Sequence, residues 1–170
     1  GHIRGGRRKR MKREMMNQIN RIVLNVLYRG LRVLYQKDSR VCAEMGSWAE
    51  GLSLKLVCGP GGAVLAVRKD EQHGLCRLSR AQHTDITMRF KTVTGAFRVL
   101  SGQIGISEAY ARHLFSLEGD IYQTMSFVRC VEYLEAYLFP EFMSRRILRE
   151  VPPRQLGMLQ VYALAMLERV

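Results

Sequence analysis

Several kinds of site leave no trace in this sequence. The four cysteines stand far apart with no C-x-x-C pair, and no two of the four histidines have metal-ligand spacing. No serine lies in the G-x-S-x-G motif that is typical of one large class of hydrolases. These absences argue against a metal centre, a cofactor and a nucleophilic catalyst, so we expect no enzyme activity.

Long apolar segments are also lacking. The longest fully apolar run, residues 161–167, is far shorter than the ~20 residues that a membrane-spanning helix needs. The chain opens with basic residues, but Asn17, Asn20 and Asn25 interrupt any hydrophobic core of a secretory leader. Together with cysteines that we expect to be reduced, this predicts a cytoplasmic protein.

Negative charge is scarce, and the positive excess is uneven. The net charge is +12, yet residues 1–13 hold seven cations and no acid, which leaves +5 for the remainder. Gly1 and His2 resemble the remnant of an expression tag and Met11 is a candidate internal start, so we base no function on this leader alone. We expect the leader to be disordered. The mild charge of the rest argues against nucleic acid as a partner, and a nucleic-acid binder driven by the leader is a rival hypothesis.

Three segments have helical periodicity. In residues 14–37 apolar side chains recur every three or four positions, which predicts a long N-terminal helix with one apolar face, although Gly30 costs ~1 kcal/mol relative to alanine. Packing against a sheet or the C-terminal helix is the simplest role for that face; dimerisation and docking on a membrane are alternatives. Asp120 is a good N-cap for a helix over residues 121–138, and residues 155–170 predict a terminal helix.

The middle of the chain has the patterns of strands. Residues 85–91 alternate apolar and polar side chains, and the turn Gly59-Pro60-Gly61-Gly62 predicts a hairpin between the segments that flank it. Two short helices are predicted after the fourth strand, one over residues 93–100 and one opened by Ser107. The fold class is therefore α+β, with a small, mostly antiparallel five-stranded sheet covered by helices. The predicted strands cover residues 52–58, 63–67, 75–78, 85–91 and 115–118.

An ordered set of short segments resembles the lipid-binding domain of the sterol carrier protein type-two family. The segments are Gly59-Pro60-Gly61-Gly62, Asp85-Ile86-Thr87-Met88, Leu100-Ser101-Gly102-Gln103 and Phe115-Ser116-Leu117-Glu118-Gly119-Asp120. The resemblance spans roughly residues 51–138, about half of the chain. It divides one globular domain into a basic leader (1–13), a helical extension (14–50), a lipid-binding core (51–139) and a helical tail (140–170).

The resemblance implies an apolar tunnel between sheet and helices that shields a fatty acyl chain, a sterol or another lipid from water. Burial favours such a ligand, because each methylene removed from water contributes ~0.8 kcal/mol. We therefore expect a non-catalytic intracellular lipid carrier or lipid-presenting protein. Eight apolar residues are candidates for the lining, each of which also suits an ordinary core: Phe90, Phe97, Leu100, Ile104, Ile106, Phe115, Met125 and Val128.

Two further partners follow from the residues outside that core. The cluster Arg145-Arg146-Ile147-Leu148-Arg149 predicts transient contact with an anionic membrane surface, since each basic residue near such a surface contributes ~1 kcal/mol; a solvated turn of helix is the alternative. The helical extensions suit a protein partner or a second copy of the chain. The alternative to the carrier is thus an interaction module, or an accessory subunit of a lipid-related enzyme, without its own ligand.

Overall fold

In the computed structural model, which describes residues 2–138, a five-stranded sheet carries five helices, and the predicted α+β class is confirmed. The predicted terminal helix over residues 155–170 and the basic cluster at 145–149 lie outside the described residues. The elements are α1 (His2–Lys37), α2 (Ser39–Gly46), β1 (Ser53–Cys58), β2 (Val64–Asp70), β3 (Gly74–Arg77), β4 (Ile86–Phe90), α3 (Val93–Leu100), α4 (Ile106–Ala111), β5 (Phe115–Glu118) and α5 (Ile121–Leu138).

The sheet has the strand order β3-β2-β1-β4-β5 and is mostly antiparallel, as predicted. The hairpin of β1 and β2 places Leu56 opposite Leu65, whereas β1 and β4 run parallel. A parallel neighbour requires a crossover, which residues 78–85 complete. There Lys55 Nζ donates a hydrogen bond to the carbonyl of Gln82 at 2.5 Å.

The main core lies between the sheet and the helices α1, α2 and α5. Alternate strand residues such as Leu54 and Leu56 meet the apolar face of α1, and Leu31 of α1 and Met45 of α2 are fully buried. Leu27, in the middle of the same helical face, is 7% exposed. The apolar face of α1 is therefore buried within the fold, as the simplest role for it predicted.

The disorder expected for residues 1–13 is wrong for the described part, because α1 begins at His2. Arginine, lysine and methionine are good helix formers, and Arg10 and Glu14 form an ion pair one turn apart at 3.5 Å. The helix is also attached to the β1–β2 turn. Arg13 donates a hydrogen bond to the carbonyl of Pro60 at 2.5 Å, and the side-chain oxygen of Asn17 accepts one from the amide of Ala63 at 2.8 Å.

α1 continues as one helix through Gly30, and at this position it packs against α5. A Cβ atom built there would lie 2.7 Å from Cδ1 of Leu134, so a larger side chain would displace that leucine. The absence of a side chain lets the two helices approach closely. Among residues 2–138, no helix is both long enough and apolar enough to span a bilayer.

Two short helices differ from the sequence predictions. α2 was not singled out, although Asp38 caps it by accepting hydrogen bonds from the amides of Arg40 and Val41 at 2.8 and 3.3 Å. The prediction that Ser107 opens α4 is wrong, since Gly105 is the N-cap and forms no side-chain cap bond. Gly105 has the extended backbone conformation of an N-cap residue, and this short helix starts without a side-chain cap.

Candidate ligand-binding site

A cavity of about 210 Å³ opens at the β5 edge of the sheet, where α4 and α5 pack beside β4 and β5. We call it the β5-edge cavity. Its lining is mostly apolar and comes from four elements, so it depends on their packing rather than on one motif. The lining residues are Met88, Ile106, Ser107, Tyr110, Phe115, Leu117, Ile121, Thr124, Met125, Val128 and Glu132.

The floor of the cavity is aromatic and buried. Phe115 stands opposite Phe90 in the β4–β5 ladder, and their rings pack edge to face with centroids 5.4 Å apart. The ring centroid of Tyr110 lies 5.8 Å from that of Phe115. Phe115 belongs to both the main core and the cavity lining, and Val128 of α5 completes the buried floor.

The rim of the cavity is apolar but exposed. Tyr110, Ile121 and Met125 have exposed fractions of 54%, 55% and 44%, although all three contribute to the lining. Tyr122, beside them on the first turn of α5, is also exposed. An exposed apolar cluster around an apolar hollow is typical of a surface that receives an apolar ligand.

Few polar groups face the cavity, and the charged one among them is acidic. The hydroxyl of Thr124 already donates a hydrogen bond to the carbonyl of Asp120 at 2.7 Å, which leaves Ser107 and Glu132 as the main polar contributors. Glu132 is the one charged residue in the described lining. A carboxylate at this place repels an anionic headgroup and accepts hydrogen bonds from a hydroxyl or an amine.

α5 is fixed from the side opposite the cavity by a polar network. Trp48 Nε1 donates a hydrogen bond to Ser126 Oγ at 2.8 Å, Ser126 donates in turn to Glu44, and Arg129 Nε donates to Glu44 Oε1 at 2.8 Å. The hydrogen bond from Arg129, followed by that from Ser126, holds the pKa of Glu44 below its usual range, while burial acts in the opposite direction. The cavity therefore has one wall that is fastened to α2.

The turn between β5 and α5 brings backbones into close approach. Gly119 has φ +110°, and a Cβ atom there would lie 2.4 Å from the carbonyl oxygen of Asp85. Asp120 then caps α5, accepting a hydrogen bond from the amide of Tyr122 at 2.8 Å. Asp85 itself accepts hydrogen bonds from the amide and hydroxyl of Ser53 at 3.0 and 3.1 Å. Both aspartates thus have structural roles.

The structure brings four of the eight predicted lining residues together at the β5-edge cavity. These are Ile106, Phe115, Met125 and Val128. The other four lie elsewhere among the described residues. Phe90 is buried behind Phe115, Leu100 packs against Val23 and Val26 of α1, Ile104 belongs to the main core, and Phe97 is half-buried on α3.

Several lining residues were missed by the sequence argument. Leu117 follows Phe115 by two positions on β5, so the strand period already places both on one face. Likewise Ile121, Met125, Val128 and Glu132 follow one side of α5 at helical spacing. Ile121 and Glu132 lie within the helix predicted over residues 121–138, but neither was among the eight predicted lining residues.

The buried thiols of the described residues have no sign of nucleophilic activation. Burial raises the pKa of Cys58 and of Cys130 to about 12, so both remain protonated at neutral pH. His113 is exposed, whereas Cys130 is fully buried, so the imidazole does not activate this thiol. Within residues 2–138, no group of three or more histidine, cysteine, aspartate or glutamate side chains is arranged to hold a metal ion.

Comparison with known proteins gives no match to a family model and none to a curated protein. Solved structures similar to the chain include Sterol Carrier Protein 2 from Yarrowia lipolytica in its apo form, with 11% identity and a TM-score of 0.43 over 65% of this chain and 87% of that chain. Sterol carrier protein domain 2 of Helicoverpa armigera has 12% identity and a TM-score of 0.40, over 64% and 87%.

Proposed function

We propose that this protein is a non-catalytic lipid carrier or lipid-presenting protein that holds part of an apolar ligand in the β5-edge cavity. The observation that supports the proposal is a hollow with a buried apolar floor and an exposed apolar rim, at four of the positions selected from sequence. The four free cysteines fit the cytoplasmic location that we expect for it.

The size of the cavity determines how much ligand it can hold. A volume of about 210 Å³ is below the ~300–1,000 Å³ of typical ligand pockets and equals about seven water volumes of ~30 Å³. Burying about six methylenes there contributes ~5 kcal/mol, which offsets only the lower end of the ~4–15 kcal/mol cost of association. The rest of the ligand must therefore lie against the rim formed by Tyr110, Ile121 and Met125.

The polar lining predicts the chemistry of the ligand head. Glu132 is charged and no cation lines the described cavity, so a fatty acid carboxylate has no counterion there. A fatty alcohol or a sterol, in contrast, has a hydroxyl that can donate a hydrogen bond to a carboxylate. We therefore propose a neutral, hydroxyl-bearing lipid as the preferred ligand. An apolar surface such as a bilayer would receive the ligand at the rim.

Native mass spectrometry tests this proposal with two ligands of equal chain length, 1-hexadecanol and hexadecanoic acid. We expect a one-to-one complex with 1-hexadecanol at lower ligand concentration than with the acid. Glu132→Gln, which removes the charge at constant shape, is expected to reduce that preference. If neither lipid nor cholesterol forms a complex, and no lipid co-purifies with the chain, the carrier function is wrong.

A cavity-filling variant locates the binding site. Val128 forms part of the buried floor, so Val128→Phe places a ring in the cavity and is expected to abolish uptake of 1-hexadecanol. Ala136→Phe is the matched control, because it adds the same side chain at an exposed position of α5 outside the lining. Thermal melting should show both variants folded. Equal uptake by the two would place the ligand elsewhere.

A further inference from the structure

α1 concentrates the positive charge of the chain. It contains eleven lysines and arginines and one acid, Glu14, and therefore accounts for ten of the twelve net positive charges. From the sequence, nucleic acid was not expected as a partner because the residues after position 13 are only mildly basic. The structure instead joins the basic leader to the cations further along in one continuous helix, which is about 54 Å long at 1.5 Å per residue.

A basic hollow of about 490 Å³ lies beneath the N-terminal part of α1. It is lined by Lys9, Lys12 and Arg13 of the helix and by Lys91, which follows β4. None of the three lysines forms an ion pair with another described residue. Four cations from two distant segments thus converge on one open space, without a carboxylate in its described lining.

Two more basic hollows follow α1 toward its C-terminus, beside β3. One, of about 220 Å³, is lined by Arg21 of α1 with Arg77 and Arg80; the next, of about 430 Å³, includes Arg32 and Lys37. No described carboxylate lines either of them. The cations therefore form a stripe along the helix, and strand β3 and the segment after it broaden the stripe. A basic stripe along a helix is the electrostatic footprint of a nucleic-acid-binding surface.

The burial of α1 argues against a membrane as the partner of this stripe. A helix that lies in a bilayer interface inserts a continuous apolar face below its cations, and the apolar face of α1 is already packed on the sheet. Ile3, Met11 and Met15 are exposed on the N-terminal part, but Ile3 lies two turns from Met11, and three side chains so placed make only a narrow apolar surface. Vesicle binding is therefore an outcome to test rather than the expectation.

The spacing of the charges suits phosphates on both sides of the helix. Residues 4–13 carry seven cations in ten successive positions, and at 100° per residue these point in all directions around the axis. The segment rises about 15 Å, over which a DNA duplex presents about nine phosphates. The major groove of a duplex, about 12 Å wide, admits an α-helix between its two phosphate rows.

We propose that α1, with Lys91 and Arg77 beside it, binds double-helical nucleic acid through its phosphates. The interaction is expected to be independent of base sequence, because its described contributors are lysines and arginines placed in open hollows rather than a set of amide side chains aligned for base edges. It is a second function, at a surface that shares no lining residue with the β5-edge cavity.

Fluorescence anisotropy with the full chain and a labelled 20-base-pair DNA duplex of arbitrary sequence tests the proposal between 50 and 200 mM NaCl. Each phosphate contact adds ~0.9 to the slope of log affinity against log salt. The variant Lys9→Gln, Lys12→Gln, Lys91→Gln is therefore expected to lower the slope by ~2.7, so that the unmodified protein loses ~40-fold more affinity over this range than the variant. A labelled RNA duplex of equal length distinguishes the two kinds of double helix.

The matched control is Arg68→Gln, Arg89→Gln, Arg112→Gln, which removes the same charge from exposed positions on β2, β4 and after α4. We expect its slope to equal that of the unmodified protein. Equal slopes for the two triple variants would attribute binding to net charge and overturn the proposal, as would no duplex binding at 50 mM NaCl. Binding to vesicles of phosphatidylcholine with 30% phosphatidylglycerol, without binding to either duplex, would identify a membrane surface instead. Thermal melting confirms that both variants are folded.

Discussion

The two edges of the sheet present different chemistry. At the β5 edge, α4 and α5 leave an apolar cavity whose described lining has one carboxylate and no cation. At the β3 edge, α1 and Arg77 form basic hollows whose described linings have no carboxylate. One α+β core thus holds an apolar site and a cationic site apart. The difference shows that the net charge of the chain describes neither site.

The largest expected effect concerns the β5 edge, where backbones meet at Gly119. Gly119→Ala combines a positive φ of 110° with a Cβ atom 2.4 Å from the carbonyl oxygen of Asp85, so we expect a loss of ~3 kcal/mol in the free energy of unfolding measured with urea. Gly51→Ala is the matched control: its φ of 72° is also positive, but no atom lies within 4 Å of the new Cβ. It should cost ~1 kcal/mol. Equal costs would contradict the close approach.

An intermediate effect is expected in acid, through the contacts that fasten α5 to α2. The pKa of Glu44 is lowered from its ordinary 4.5, so the unfolded state takes up a proton more readily. This contribution to stability is complete above pH 4.5 and is lost as the pH falls through the lower pKa of the folded state. We expect the contribution of Glu44 to the unfolding free energy to be constant from pH 7 to 5 and to decline below 4.5.

Variants assign that decline to particular carboxylates. Glu44→Gln should remove about 1–2 kcal/mol at pH 7 and reduce the decline below pH 4.5. A decline should persist at still lower pH, because hydrogen bonds from Arg40 and then Tyr137 also hold the pKa of Asp38 below its usual 3.8. Glu108→Gln is the control, since Glu108 pairs with Arg112 at a half-exposed position. An unchanged acid profile in Glu44→Gln would refute this assignment.

The smallest effects are expected from exposed ion pairs, one at each edge. Arg10 pairs with Glu14 on α1 at 3.5 Å, and Arg112 pairs with Glu108 on α4 at 2.8 Å. Because both pairs are exposed, Arg10→Gln and Arg112→Gln should each change the free energy of unfolding by less than ~0.5 kcal/mol. A loss above 1 kcal/mol in either variant would show that the pair does more than join two solvated side chains.

The elements predicted from sequence are those whose signal is local. Alternation identified β4 and β5 within one residue of their bounds, and helical periodicity identified α5 and residues 14–37 of α1. The parallel pairing of β1 with β4 has no local signal, because it depends on where a crossover delivers the chain. α2 was missed because eight residues are too few for a clear period, although its cap, Asp38, was visible in the sequence.

The site was predicted in part for a related reason. Periodicity shows which side chains share a face, but not what lies opposite that face. Met125 and Val128 on α5 meet Phe115 on β5 across the cavity, whereas the equally apolar Leu100 on α3 meets α1 instead. In the sequence, the basic leader of residues 1–13 holds seven of the cations, and only the continuity of α1 reveals that the same helix extends this charge along the fold.

The strand order has a consequence for how the two sites would work together. Four interstrand spacings of ~4.8 Å separate the outer strands, so about 19 Å of sheet lies between them. The two basic hollows beside β3 and the β5-edge cavity therefore lie at opposite margins of the sheet, and a nucleic acid at the former leaves the latter open. A single molecule could then carry its cargo while it remains tethered.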